Sequence, residues 1–322
     1  MLKNIYKTLT ALAKKNQLDP DECEEILSED LSGDSQDTGE FPEAEPAEFN
    51  QTQVYSKEYK ILSGNTDVET AFFRTKVHAP IGTEWVSKIV QVRTLREVRA
   101  LISFRRRKPE FEPVFPDLGQ GSGWLPASEH IGEGIFLQLD DAILSRWEKK
   151  FKKELSEHTE GMLKKAQDMP APISDLASIR FILLHTFSHM ILLRLAEDCG
   201  YSVCSLKERV FAADNEAGIL IYTSEGDSEG AMGGLVEAGE PARFEVLLKN
   251  AADRSSWCSA DPVCRELEDQ GFEGLNRAAC HSCAFLPETS CPYMNVLLDR
   301  LLLTGSPTRG EISGFFHPDT VF

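Results

Sequence analysis

Five of the eight cysteines fall within 34 residues, from Cys258 to Cys291. They read W-C-S-A-D-P-V-C (Cys258, Cys264), A-C-H-S-C (Cys280, Cys283) and S-C-P (Cys291). A C-x-x-C knuckle flanked by further cysteines is the ligand spacing of a tetrahedral thiolate zinc site. Only a tight turn brings two such sulfurs to within about 2.3 Å of one ion. Five is odd, and nothing marks the chain as secreted, so a set of disulfides fits poorly. The spacing therefore predicts a closed, structural zinc site using four of the five. Cys280, Cys283 and Cys291 are taken as three ligands, with Cys258 or Cys264 as the fourth.

Two other constellations invite chemistry. H-T-F-S-H places His185 and His189 four residues apart on one helix face. That is zincin-like spacing, but Thr186 stands where the general-base glutamate would be. Phe181, Ile182, Leu192 and Ala196 share the face, so the pair reads first as two core histidines bonded to backbone or to a neighbouring acid. The rival reading is a metal-dependent nuclease or hydrolase using His185, His189 and a nearby acid. The run G-I-L-I-Y-T-S-E-G-D-S-E-G-A-M-G-G-L carries Gly226, Gly230, Gly233 and Gly234 after a strand. No G-x-x-x-x-G-K-[ST] loop is present, and Glu225, Asp227 and Glu229 would repel phosphates. A tight turn explains the glycines, while Asp227 and Glu229 are candidates for a cation or a partner's arginine.

The elements that must position these residues fall into four segments. Residues 1–16 carry Leu2, Ile5, Leu9 and Leu12 on one side of a short amphipathic helix. Residues 17–55 read as an acidic disordered linker, poor in large apolar residues. Residues 56–170 form a mixed segment, with strands expected at Ala71–Val77, Lys88–Val92 and Gly134–Leu139. Leu95, Val98 and Ile102 have helical spacing, and a charged helix is expected over Asp140–Gln167. Residues 171–322 hold a helix capped by Ser174 and stopped by Gly200, apolar nearly all round and hence buried. Strands at Glu208–Ala212 and Gly218–Thr223 follow, then helices near Pro241–Ala251 and over Pro292–Leu303. The fold class is α/β or α+β: a buried central helix, a small sheet and a C-terminal four-cysteine zinc module.

Charge is unevenly placed. The net charge of the 322 residues is −18. Thirteen Asp and Glu with no Lys or Arg lie between 17 and 49, against four lysines before them, so residues 1–49 carry half of it. Lys88 to Lys108 runs the other way, and Arg105, Arg106, Arg107 and Lys108 are adjacent. A globally acidic chain is a poor free-standing DNA binder, but a local basic run suits contact with nucleic acid or a partner inside an assembly. No uninterrupted apolar stretch reaches the roughly 20 residues of a membrane span. The N-terminus lacks the apolar centre of a secretory signal. The expectation is a cytoplasmic protein with no membrane association.

Several ordered blocks resemble a known family. L-L-H-T-F-S-H-M (183–190), C-G-Y-S (199–202), L-K-E-R-V-F (206–211), the glycine-rich run (218–235), the cysteine blocks (257–264, 278–283, 287–291) and N-V-L-L-D-R (295–300) look like DrmB. L-R-E-V-R-A-L (95–101), W-L-P (124–126) and G-E-G-I-F-L (132–137) also resemble it. DrmB proteins partner the DrmA helicase in bacterial DISARM antiphage systems. The resemblance implies a non-enzymatic, helicase-associated subunit that partners a DrmA-like ATPase and meets DNA in the assembled complex. It covers the C-terminal half of a longer family pattern, which implies either that a separate chain supplies the other half or that this is a divergent relative in a different defence system. The cysteine region is also similar to the zinc module ending MrfA-type repair helicases. That likeness implies Cys280, Cys283 and Cys291 as ligands, with one upstream cysteine.

Overall fold

The computed structural model describes residues 51–80, 82–104, 114–116, 125–170, 172–223, 233–306 and 312–316. The expected helix at 1–16 and most of the acidic linker lie outside these residues, as do Arg105, Arg106, Arg107, Lys108, Asp227 and Glu229. The unit from residue 51 onward is α+β. Helix α1 (Gln51–Leu62) is followed by strands β1 (Phe73–His78), β2 (Val86–Ala100) and β3 (Ala127–Leu139). Then come helices α2 (Asp141–Lys150), α3 (Lys152–Gln167), α4 (Ile173–Leu176) and α5 (Ile179–Cys199), and strands β4 (Leu206–Phe211) and β5 (Gly218–Thr223). The rest is α6 (Gly234–Ala238), α7 (Pro241–Arg254), α8 (Val263–Glu266), a short parallel pair β6 (Asn276–Arg277) and β7 (Leu298–Asp299), and α9 (Arg300–Thr304).

The main sheet runs β1-β2-β3-β5-β4, antiparallel throughout. The boundary expected near residue 170 falls inside this sheet, because β3 pairs with β5. Side chains alternate between two apolar faces, as the two-residue period of a strand requires. Ile89, Ile135, Leu137, Ile219, Ile221 and Val210 face the larger core that contains α5 and α7. Val90, Val92, Phe136, Leu220, Tyr222 and Phe211 face the other way and are covered by Tyr59 and Leu62 of α1. The result is three layers with the sheet between α1 and the helices.

At the centre lies α5, whose residues from Phe181 to Leu192 are all buried. Ser178 caps it, its Oγ accepting from the Phe181 N–H, and Gly200 ends it in the left-handed region at φ 74°. The cap is thus Ser178 rather than Ser174, because Ala177 is extended and breaks the helical path after α4. By length and composition α5 could cross a membrane, but most of its apolar window is buried inside this core.

Three local expectations are corrected. The stretch with Leu95 and Val98 is strand, the second half of β2, where Leu95↔Gly132 and Val98↔Glu129 pair across to β3. Asp140–Gln167 is two helices, because Phe151 at φ −108°, ψ 19° breaks the path between α2 and α3. Pro292–Leu303 is mostly a loop: Met294, Asn295 and Leu297 have positive φ, which no right-handed helix tolerates. The helix begins only at Arg300, capped by Asp299.

Gly134 of β3 pairs with Tyr222 of β5 at a close approach. A Cβ there would lie 2.8 Å from the Ile221 carbonyl oxygen and 2.9 Å from the Tyr222 Cβ. Gly134→Ala is therefore expected to destabilise by about 1–3 kcal/mol, read as a lower denaturant midpoint at unchanged slope. Gly161→Ala in α3, where a Cβ meets nothing within 4 Å, should leave stability equal or raise it by up to about 1 kcal/mol.

Candidate metal centres

The structure gathers the five cysteines into two places. Cys258, Cys264, Cys280 and Cys283 have their sulfurs within 4.8 Å of one another. Cys258–Cys280 are 3.6 Å apart, and Cys264–Cys283 and Cys280–Cys283 are each 3.8 Å apart. A tetrahedron of about 2.3 Å Zn–S bonds has sulfurs about 3.8 Å apart, so the donor set fits zinc. Both upstream cysteines join the cluster and Cys291 does not. Cys291 lies apart from the cluster, 3.3 Å from His185 Nε2. Seven residues separate Cys283 from Cys291, and the chain turns away between them at Pro287–Ser290.

The four-cysteine site is built by backbone and by one buried cation. The knuckle is a tight turn in which the Cys280 N–H donates to Cys283 Sγ at 3.3 Å, and the Ala260 N–H likewise donates to Cys258 Sγ at 3.4 Å. Asp261 Oδ2 accepts from the Cys258 N–H, fixing the upstream turn. Arg300 is 1% exposed and threads the module. Its guanidinium donates to the carbonyls of Ala278 (2.7 Å) and Ser255 (2.9 Å), to Asp261 Oδ1 (3.1 Å) and to Cys264 Sγ (3.7 Å). The Cys283 thiol donating to Cys264, and Arg300 beside it, pull the Cys264 thiol down to about 5 against the effect of burial. One sulfur is thus predisposed to the thiolate that a metal requires. Sequence reasoning assigned no role to Arg300. Its signal was a lone arginine inside the apolar run N-V-L-L-D-R-L-L-L.

The second place is deeper. His185 and His189 on α5 are both fully buried, and both face Glu208 of β4. His189 Nε2 lies 2.9 Å and His185 Nε2 3.2 Å from Glu208 Oε1. His189 Nδ1 is 2.7 Å from the Ala284 carbonyl. The expectation of core histidines bonded to backbone and to an acid describes this geometry. Burial pushes His185 down, and it pushes Glu208 up, yet the two imidazoles hold Glu208 well below the usual carboxylate range. Glu208 was missed in the sequence. The alternation Leu206-x-Glu208-x-Val210 places a carboxylate among residues that point into the core, and that was the available signal. Full burial of the pair gives a polymeric substrate no access to it.

This fold and its cysteine cluster define a zinc-binding domain: residues 187–284 match the MrfA Zn-binding domain family. The match contains all four clustered cysteines and ends before Cys291. Beyond that domain the chain is similar to the DISARM protein DrmB of Bacillus paralicheniformis, 32% identical over 287 residues. That alignment covers 84% of this chain and 49% of the relative, so the chain spans about half the length of the protein it matches.

Structural zinc binding is folding free energy. Cys283→Ser should therefore lose one zinc equivalent by elemental analysis and destabilise the chain by more than about 4 kcal/mol. Cys204→Ser, at an exposed free cysteine outside both clusters, should change neither.

Proposed function

We propose that this chain is a non-catalytic, zinc-stabilised subunit of a bacterial antiphage defence assembly. It works in the cytoplasm beside a helicase-type ATPase and helps that partner engage foreign DNA. The similarity to DrmB along 84% of the chain carries this reading. The zinc ligands are Cys258, Cys264, Cys280 and Cys283, and their role is to fix the fold. Four protein sulfurs leave no open coordination position for a reacting water, which is what distinguishes a structural from a catalytic zinc. The sequence also holds no G-x-x-x-x-G-K-[ST] loop, so nucleotide hydrolysis of the P-loop kind belongs to the partner.

One region suits docking. Where β2 and β3 run beyond the sheet, Val98, Leu101, Phe104, Val114, Phe115 and Ile131 are each more than 40% exposed. Phe104 and Val114 pair with each other through two backbone hydrogen bonds. The run Arg105–Lys108 lies in sequence between them. An exposed apolar ribbon of this kind would seat on a partner, and a run of four positive charges in the sequence suits contact with phosphates.

Purification of the tagged chain from its native operon, with identification of what comes with it, tests the assembly. An ATPase of helicase type is expected, and its absence would end this reading. Phe104→Asp with Phe115→Asp should cut its recovery at least about tenfold with zinc content unchanged, since interface anchors of this kind are typically worth more than 1 kcal/mol each. Changing Arg105, Arg106, Arg107 and Lys108 all to Glu should leave the complex intact. DNA binding by the complex should weaken, with a larger loss at low salt than at high. Unchanged DNA binding by the reversed complex would make the run a solvated surface.

A further inference from the structure

His185, His189, Glu208 and Cys291 bring four potential donor atoms within 4.8 Å of one another, wholly inside the core. Three parts of the chain supply them: one face of α5, the inward face of β4, and the loop that follows the knuckle.

The hydrogen positions decide what the cluster is. The Ala284 carbonyl can only accept, so His189 Nδ1 must carry the hydrogen. In a neutral imidazole Nε2 is then a bare lone pair, and it points at Glu208 Oε1 from 2.9 Å. Two lone pairs at that distance repel unless a cation lies between them. The same carboxylate oxygen is 3.2 Å from His185 Nε2, which is itself 3.3 Å from Cys291 Sγ. Protons alone resolve this by placing an imidazolium on His189 or a neutral acid on Glu208, and either leaves Glu208 Oε2, also buried, with no hydrogen bond. Leaving a carboxylate oxygen unsatisfied in a fully buried position is costly.

A divalent ion removes the clash between the lone pairs. It accepts the lone pairs of both Nε2 atoms, a carboxylate oxygen and a thiolate, and the charges of Glu208 and Cys291 balance its own. The Nδ1–H to backbone carbonyl bond of His189 is the partner that orients a metal-bound imidazole. The Asn295 N–H donates to Cys291 Sγ at 3.4 Å, as the Ala260 and Cys280 N–H groups do to sulfurs of the four-cysteine site. A tetrahedral site with about 2.0–2.3 Å bonds has donors about 3.3–3.6 Å apart, close to the spacings seen.

We propose that His185, His189, Glu208 and Cys291 hold a second divalent transition-metal ion, with a structural role. The set of two imidazoles, one carboxylate and one thiolate in a closed tetrahedron suits zinc best among the first-row ions. The proposal stands apart from the assembly reading, since it concerns only the chain's own metal content.

The test is metal counting on the full 322-residue chain. The chain is purified without chelators under reducing conditions, loaded with excess zinc chloride and desalted. Two zinc equivalents are expected per chain. X-ray absorption should show five sulfurs shared between two ions, together with imidazole scattering. Cys291→Ala and Glu208→Gln should each fall to one equivalent, and in the Cys291 variant the remaining zinc should have sulfur ligands alone. Cys283→Ser should lose the other ion. One equivalent in the wild-type chain with all-sulfur coordination overturns the second site, and so does a folded Cys291→Ala protein that still holds two. If the variants do not fold, the wild-type count and its absorption spectrum decide alone.

Discussion

A helix that is apolar on every side must be surrounded, and α5 imposes that demand on the rest of the chain. The inner face of β4 and β5 covers one side of it, α7 another, and α6, β7 and α9 close the remainder. The cysteine-bearing segment is consequently part of the core. Cys258, Cys264, Cys283 and Cys291 belong to the same apolar cluster as Phe181, Phe187 and Leu195. Loss of metal would therefore open the wall of the central helix, which ties the zinc chemistry to the stability of the whole α+β unit.

The same demand explains the polar groups left inside. Surrounding a helix completely also surrounds its polar side chains, so His185, Thr186 and His189 meet their partners inside the core. Thr186 accepts from the Asp299 N–H and donates to the Ile182 carbonyl, which stitches α5 to the start of α9. Asp299 in turn meets His158 of α3 at 2.5 Å and caps α9. The far face of the sheet has its own network, in which Arg209 of β4 bonds Glu58 of α1, Glu97 of β2 and Tyr222 of β5. Successive residues of β4 point to opposite faces and thus place Glu208 in one network and Arg209 in the other.

How far the sequence could be read follows from which signals are local. The all-apolar α5 and its Gly200 stop, the strands at Gly134–Leu139 and Gly218–Thr223, and a zinc-type cysteine set were legible because each is a matter of neighbouring residue types. The nature of 95–102 was not. Along β2 the first half is buried on both faces while the second half exposes Val98, so no two-residue alternation survives and a chance helical spacing stands out. The choice among the five cysteines was not legible either. Spacing shows that Cys280 and Cys283 share a turn, but it cannot show that α8 and the Asp261 turn fold Cys258 and Cys264 back onto them. Glu208 meets the histidines only through the register of β4 against α5, and no local pattern contains that.

The path that makes both clusters is itself strained. Glu273, Ala278, Met294 and Leu297 are non-glycine residues at φ between 45° and 60°. The left-handed region costs such residues roughly 1–2 kcal/mol each, so the four together cost about 4–8 kcal/mol. That is comparable to the whole stability of an ordinary domain, about 5–15 kcal/mol. Side-chain bonds offset part of it: Asn276 bonds the Asn295 carbonyl and the Leu298 N–H, and Asn295 bonds the Leu286 backbone in both directions. Each such bond is worth only about 1 kcal/mol net, so four of them barely match the lower figure. A structural zinc, at about 10–16 kcal/mol of apparent binding free energy, exceeds even the upper one. The ion is therefore what allows a backbone this contorted to wrap the central helix. Ala284, next to the ligand Cys283, accepts the His189 hydrogen bond and carries that constraint directly into the core.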